Sequence, residues 1–291
     1  MVILKTRRSA NNNVVGKNYK PDFYDIYCKI YLEVWKNYGN LSLHVGLYDN
    51  DGEVQSHDQS ITKMNRFIAN LAQIKESDLI LDAGCGVGGS SIWFAKNYKA
   101  RIVGISLSEK EVNLAKKFAK EKFIENVEFK VMDYHETNFS SGIFDTVLAI
   151  ESVCYSVKKR QFLDECFRLL KPYGKIVITD YFHTDNPMTN QQRKAIERVN
   201  GDFSIQLCSM IQFKEQLKNF EDVKILDLTS NVSEFYVKEL EQIQKLYLNT
   251  KSEGKKEYMK REVGKLAHEL ECLQQGLIKY GVIFAQKRKV V

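Results

Sequence analysis

One run, Leu79-Ile80-Leu81-Asp82-Ala83-Gly84-Cys85-Gly86-Val87-Gly88-Gly89-Ser90-Ser91, constrains this chain more than any other. Apolar residues end in an acid, break into glycines and lead at once into the periodic segment Ile92-Trp93-Phe94-Ala95. That order describes a strand, a tight turn and a helix N-terminus, which presents backbone N–H groups to a nucleotide-like cofactor. Gly84, Gly86 and Gly89 also satisfy G-x-G-x-x-G, the dinucleotide pattern, which further expects an acid at the tip of the second strand roughly 20 residues on. Here that strand, Arg101-Ile102-Val103-Gly104-Ile105, runs into Ser106-Leu107-Ser108 without an acid. A nicotinamide-dependent oxidoreductase is therefore the alternative and not the leading reading.

The words around the loop point elsewhere. Asp82-Ala83-Gly84-Cys85-Gly86-Val87-Gly88 resembles the first motif of class I S-adenosylmethionine-dependent methyltransferases, and further segments agree in order and spacing. Gly104-Ile105-Ser106-Leu107-Ser108 with Glu111 matches the second strand, and Val131-Met132-Asp133-Tyr134 stands where that family holds adenine. Phe144-Asp145-Thr146-Val147-Leu148-Ala149-Ile150-Glu151-Ser152 resembles its fourth strand, and Leu170-Lys171-Pro172-Tyr173-Gly174-Lys175 its turn into the fifth. The Gly-Ile-Ser-Leu-Ser segment and Leu43-His44-Val45-Gly46-Leu47-Tyr48-Asp49 look most like a small-molecule branch. That branch includes tocopherol, sterol and prenyl C-methyltransferases and cyclopropane-fatty-acid-synthase-like enzymes. The resemblance implies an α/β, Rossmann-like, seven-stranded, mostly parallel sheet with helices on both faces, and S-adenosyl-L-methionine as cofactor.

Composition narrows the remaining classes. The 291 residues can bury one good-sized core. No stretch approaches the roughly 20 uncharged apolar residues of a membrane span, and the N-terminus lacks a signal-peptide core, so a soluble, cytoplasmic protein without stable membrane insertion is expected. The widely spaced cysteines, Cys28, Cys85, Cys154, Cys166, Cys208 and Cys272, form no C-x-x-C pair and suggest reduced thiols. The formal charge of +6 comes largely from residues 1–20, where Lys5, Arg7, Arg8, Lys17 and Lys20 meet no acid. That segment reads as a basic disordered tail, so a groove for nucleic acid is not implied. A nucleic-acid methyltransferase, the second alternative, is suggested by the basic charge, but the N-P-P-Y type motif of amino-directed base methylation is absent, since Asn186-Pro187 continues with Met188.

Four regions follow from the pattern. After the tail, residues 21–75 read as a helical lid: Phe23, Tyr24, Tyr27, Tyr31, Trp35 and Tyr38 share one helix face, and a second helix spans 59–73. Residues 76–185 alternate apolar runs with helical segments, the signature of parallel strands joined by crossovers. Residues 186–291 read as helical insertions that cap a substrate pocket, plus the last strands. Within them, 191–220 is expected as one helical region, 223–228 as a strand, 233–248 and 255–277 as helices, and 280–285 as an antiparallel last strand. Met259, Val263, Leu266, Leu270, Leu273 and Leu277 form a packing stripe.

By resemblance, the Gly84 carbonyl takes the methionine ammonium, with Cys85 as a small buried spacer, Gly86 leaving the backbone bare and Asp82 supporting the loop. Ser106 and Glu111 reach the ribose, Asp133 accepts from the adenine amino group, and Tyr134 or Leu107 covers the ring. Glu151 is assigned to both cofactor and catalysis. His183, past the fifth strand, and Tyr24 complete the catalytic set, while His44, Tyr155 and Tyr181 line the acceptor side. His135 and His57 carry less weight, and no metal ligand set is picked out. A prenyl diphosphate acceptor calls for a metal and a basic cluster, and none stands out. The expected partner is a mostly apolar small molecule, with C-methylation of an isoprenoid or aromatic acceptor placed ahead of N- or O-methylation, and a homodimer is compatible with the chain.

Overall fold

The computed structural model describes residues 41–48 and 56–289. The basic tail, the aromatic segment 23–38 with Tyr24, and Cys28 lie outside the described residues. The first described helix, α1 (His57–Ala72), opens on a capping box: the Ser56 hydroxyl accepts from Gln59 N at 3.2 Å, and the Gln59 side chain accepts from Ser56 N at 2.8 Å. Its residues Ile61, Met64 and Ile68 are fully buried, as their three- and four-residue spacing requires.

Strands and helices then alternate: β1 (Leu79–Ala83), α2 (Gly89–Tyr98), β2 (Arg101–Ser106), α3 (Glu109–Glu121), β3 (Val127–Val131) and β4 (Phe144–Ile150). A single 3-10 turn (Val153–Tyr155) and α4 (Lys159–Leu169) lead to β5 (Leu170–His183). The sheet has seven strands in the order β3-β2-β1-β4-β5-β7-β6, where β6 is Phe220–Asp227 and β7 is Ile278–Lys287. Strands β1 to β5 pair in parallel, and β7 lies antiparallel between β5 and β6. Period-two alternation sends neighbouring residues to opposite faces. Ile80, Leu148 and Val177 join one core with α1 and α2, while Leu81, Val147 and Ile176 join another with α4. The chain reverses its winding between β1 and β4, and the crevice beyond the carboxyl ends of those strands is the expected ligand position.

The last third departs from expectation in one respect. The region 191–220 is two helices, α5 (Asn190–Phe203) and α6 (Met210–Glu215). Ser204 turns left-handed at φ 55° and closes α5, and Ser209 starts α6 with its own capping box. Between them Gln206 N donates to Cys154 O at 2.7 Å and Cys208 O accepts from His183 N at 3.1 Å, which ties the break to the strand tips. The helices α7 (Thr229–Asn249) and α8 (Glu253–Gln274) pack on the same face as α1. On α8, Cys272 and Leu273 are buried in that core, with Leu266 and Leu270 against it, and Met259 is buried further along the helix.

Candidate active site at the strand tips

The glycine loop is shaped by what stands around it. At Gly84 φ is +93°, and a Cβ there would run into the Ser152 side chain. At Gly88 φ is +83°, and a Cβ would sit 2.6 Å from Phe129 Cζ. Both positions therefore admit only glycine. Gly84 N and Cys85 N donate to Ile105 O at 2.9 Å, the Ala83 carbonyl accepts from Ser152 Oγ at 2.6 Å, and Gly88 N returns to Cys85 O. Among the described residues, neither the Gly84 nor the Val87 carbonyl in this turn has a donor from the protein. Asp82 is 2 % exposed, burial pushes it up to about 6, and the short bond from Ser91 Oγ at 2.5 Å opposes that rise. Cys85 packs partly buried against the cluster of Ile92, Val112 and Phe129. Burial raises its thiol well above the ordinary range, so it stays protonated.

Ser106, Leu107, Glu111, Asp133 and Tyr134 stand around the ends of β2 and β3. Ser106 Oγ donates to Glu111 Oε2 at 2.5 Å, and Ser108 caps α3 by accepting from Glu111 N, so the helix start aims the Glu111 carboxylate back at the strand tip. Burial raises Glu111, with Ser106 opposing. Asp133 Oδ1 accepts from both His135 N (2.8 Å) and His135 Nδ1 (2.7 Å), while His135 Nε2 meets Ser156 Oγ at 2.7 Å. Burial alone would raise Asp133, but the bonds from His135 outweigh it and the net shift is downward. Asp133 Oδ2 keeps no described partner. The Tyr134 hydroxyl donates to Ser152 O at 3.0 Å, and Leu107 is 38 % exposed at the tip of β2.

On the other side of the switch point stands Glu151, directly after β4. Its φ of 48° is rare for a residue with a side chain, and such strain gathers at functional sites. Glu151 Oε1 accepts from Val45 N at 2.8 Å and from the Tyr280 hydroxyl at 2.9 Å. Burial pushes its carboxyl up to about 8. Val45 belongs to the segment 41–48, which straps the loop. A Cβ on Gly89 would strike the Leu41 and Ser42 backbone, and Leu47 N donates to Ser60 O at 2.9 Å. His44 is 3 % exposed, with Nδ1 on Val45 O at 2.9 Å and Nε2 against Asn65 at 3.0 Å. Both ring nitrogens are therefore engaged, one within the strap and the other by Asn65 of α1.

Tyr181 and Tyr280 face each other across β5 and β7 with ring centroids 5.2 Å apart, edge to face. The Tyr236 hydroxyl on α7 donates to that of Tyr181 at 2.8 Å. His183 ends β5 half-buried, and its described hydrogen bond runs from Nδ1 to Thr184 O at 2.8 Å. Tyr155 is 39 % exposed in the 3-10 turn. Sequence reading missed Ser91, Ser152, Tyr236, Tyr280 and Glu269, and undervalued His135. Glu269 carried a signal, because an acid three residues after Leu266 and four before Leu273 falls on the apolar stripe of α8.

A family model described as a methyltransferase domain matches residues 74–258, well over half the chain. A norajmaline N-methyltransferase from Rauvolfia serpentina is 31 % identical over 210 residues, covering 67 % of this chain and 72 % of the relative. A chloroplastic tocopherol O-methyltransferase from Arabidopsis thaliana is 27 % identical over 289 residues, covering 91 % and 81 %. The fold superposes on a putative sarcosine dimethylglycine methyltransferase from Galdieria sulphuraria with a TM-score of 0.79 at 18 % identity, covering 89 % of this chain and 97 % of that one. With the glycine-only loop and the paired acids at the strand tips beside these matches, the chain belongs to the methyltransferase-domain family and is a class I S-adenosylmethionine-dependent methyltransferase.

Proposed function

We propose that this chain methylates a mostly apolar small molecule bound beyond the tips of β4, β5 and β7. The observation that carries this reading is the position of Glu151, a buried carboxylate flanked by Tyr181 and Tyr280 beside the glycine loop. The chemistry supplied by bound S-adenosylmethionine is an electrophilic methyl on a sulfonium. The Gly84 carbonyl would hold the methionine ammonium, with Asp82 and Ser91 bracing the turn. Ser106 and Glu111 would hold the ribose. Asp133, its Oδ1 fixed by His135, would offer Oδ2 to the adenine amino group, with Tyr134 and Leu107 against the ring and Cys85 and Gly86 lining the loop.

The work left to the protein is alignment and exclusion of water, and orientation contributes up to roughly 7–11 kcal/mol to such displacements. Positive charge passes from donor to acceptor during transfer. Carbon methylation, placed first on sequence, forms a cation that then loses a proton, and nitrogen methylation yields a cationic product. Glu151 stabilises either charge and can take the proton, with His183 as the further base and Tyr155 and Tyr181 on the acceptor's apolar surface. Tyr24, outside the described residues, keeps its proposed part in the lid. The domain division at residues 20, 75 and 185 is retained on the same footing, as is a cytoplasmic site of action. Among the described residues no helix is long and apolar enough to cross a membrane.

Calorimetric titration with S-adenosylhomocysteine, with NADH and NADPH in parallel, tests the donor. Micromolar binding of the first alone supports it. Methyl-label transfer to tocopherol-, terpenoid- and alkaloid-type acceptors then tests the rest: His183→Ala should keep cofactor affinity and lower turnover at least a hundredfold if His183 is a base. Equal loss of cofactor affinity would remove it from the acceptor side.

A further inference from the structure

Glu269 is a buried titratable group that the reading above leaves unused. It lies 5 % exposed on α8 and hydrogen-bonds the Tyr236 hydroxyl. Tyr236 bonds Tyr181, the Tyr181 ring packs on Tyr280, and Tyr280 donates to Glu151. Three tyrosines thus connect the half-buried Glu151 to the buried Glu269. The other charges near them are Asp180, which adds to the repulsion at Glu151, Lys159 beside Asp180, and Arg198, which acts on Cys272 three residues beyond Glu269. Among the described residues no Lys or Arg forms an ion pair with Glu151 or Glu269.

Buried carboxylates without a counter-charge are costly to ionise, so they keep their protons. Burial raises each to about 8. A ligand that brings a positive charge supplies what the chamber lacks, and tyrosine faces favour the same charge. A transient carbocation meets this field only at the transition state, whereas an ammonium meets it in the bound complex. A diphosphate would meet the wrong sign.

We propose that the acceptor is a small apolar amine that enters as its ammonium ion between Glu151 and Tyr181, with the Glu269 carboxyl holding Tyr236, and through it the Tyr181 hydroxyl, in place. This rests on the acceptor reading above. The carboxyl proton of Glu151 leaves to solvent as the ammonium binds, and an ammonium N–H proton then moves to the Glu151 carboxylate, freeing the nitrogen lone pair. The N–C bond forms as the donor C–S bond breaks, with the bonding pair left on sulfur and the positive charge on nitrogen.

The test is calorimetry on protein loaded with S-adenosylhomocysteine, using N-methylbenzylamine and its carbon isostere propylbenzene, in two buffers of different ionisation heat. The amine should bind at least tenfold more tightly and release protons, and Glu269→Gln should cut that preference at least threefold. The proton release is read on the unaltered chain, so it decides the matter even where Glu269→Gln does not fold. Equal binding of amine and isostere, no proton release, or tighter binding of geranyl diphosphate with magnesium would overturn the proposal. Failure of S-adenosylhomocysteine to load would instead overturn the donor assignment on which it rests.

Discussion

Gly84 and Asp133 show how differently single residues serve the crevice. Gly84 is fixed by space and backbone together, for a methyl group there meets Ser152 and φ lies at +93°. Gly84→Ala should lower S-adenosylhomocysteine affinity at least tenfold by calorimetry and lower Tm as well, because strain at such a position costs about 1–3 kcal/mol. Asp133 instead depends on a partner. His135→Ala frees its carboxylate to rotate and leaves Ser156 without its imidazole. Cofactor affinity should fall by about tenfold, in keeping with the 1.5–3 kcal/mol of a charged hydrogen bond, and Asp133→Asn should fall at least as far. Full affinity in His135→Ala would make the His135 contact irrelevant to binding. Asp82, Ser106, Glu111 and Asp133 could be proposed from sequence because each stands at or near a strand end or in a helix's first turn within a motif. His135 was not, since its role depends on Ser156, 21 residues away.

Helix ends were read less well than helix faces, and the break at Ser204 shows why. The apolar pattern runs through 191–220 without a glycine or proline at the stop, yet tertiary contacts from Cys154 and His183 hold residues 206–208 in extended form. Ser204 then carries a left-handed φ of 55° that glycine adopts freely. Ser204→Gly should stabilise the protein by a few tenths to about 1 kcal/mol, raising Tm by roughly 2–4 °C. A lower Tm in a thermal scan would mean that the Ser204 side chain contributes more than the backbone relief. The packing stripe of α8 behaved as periodicity requires, while the acid within it, Glu269, acquires meaning only from Tyr236 on a different helix.

Across the whole molecule, buried acids give stability a marked pH dependence. Glu151 and Glu269 rise from 4.5 to about 8 on folding, Glu239 to about 7 and Asp82 from 3.8 to about 6, each chiefly through burial. Groups raised in this way stabilise fully below their unfolded values and lose that contribution as pH climbs through the folded ones. His57, lowered by burial to about 4, works in reverse and favours the fold above its ordinary 6.5, losing that share as pH falls. Tm should therefore drop by several degrees between pH 6.5 and 9, at about 1.4 kcal/mol per unit for each group still titrating. Glu269→Gln should flatten the slope, and an unchanged slope in differential scanning would show that Glu269 is ionised in both states. The parallel sheet, the glycine turn and the identity of the cofactor were determined by sequence alone, because alternation, strand tips and glycine conformations are local properties of the chain. The grouping proposed for the acceptor side was decided only by tertiary structure. Glu151, Tyr181, Tyr236, Glu269 and Tyr280 come from two helices and the ends of three strands, and the hydrogen bonds and ring contact that join them are long-range, which no local pattern encodes.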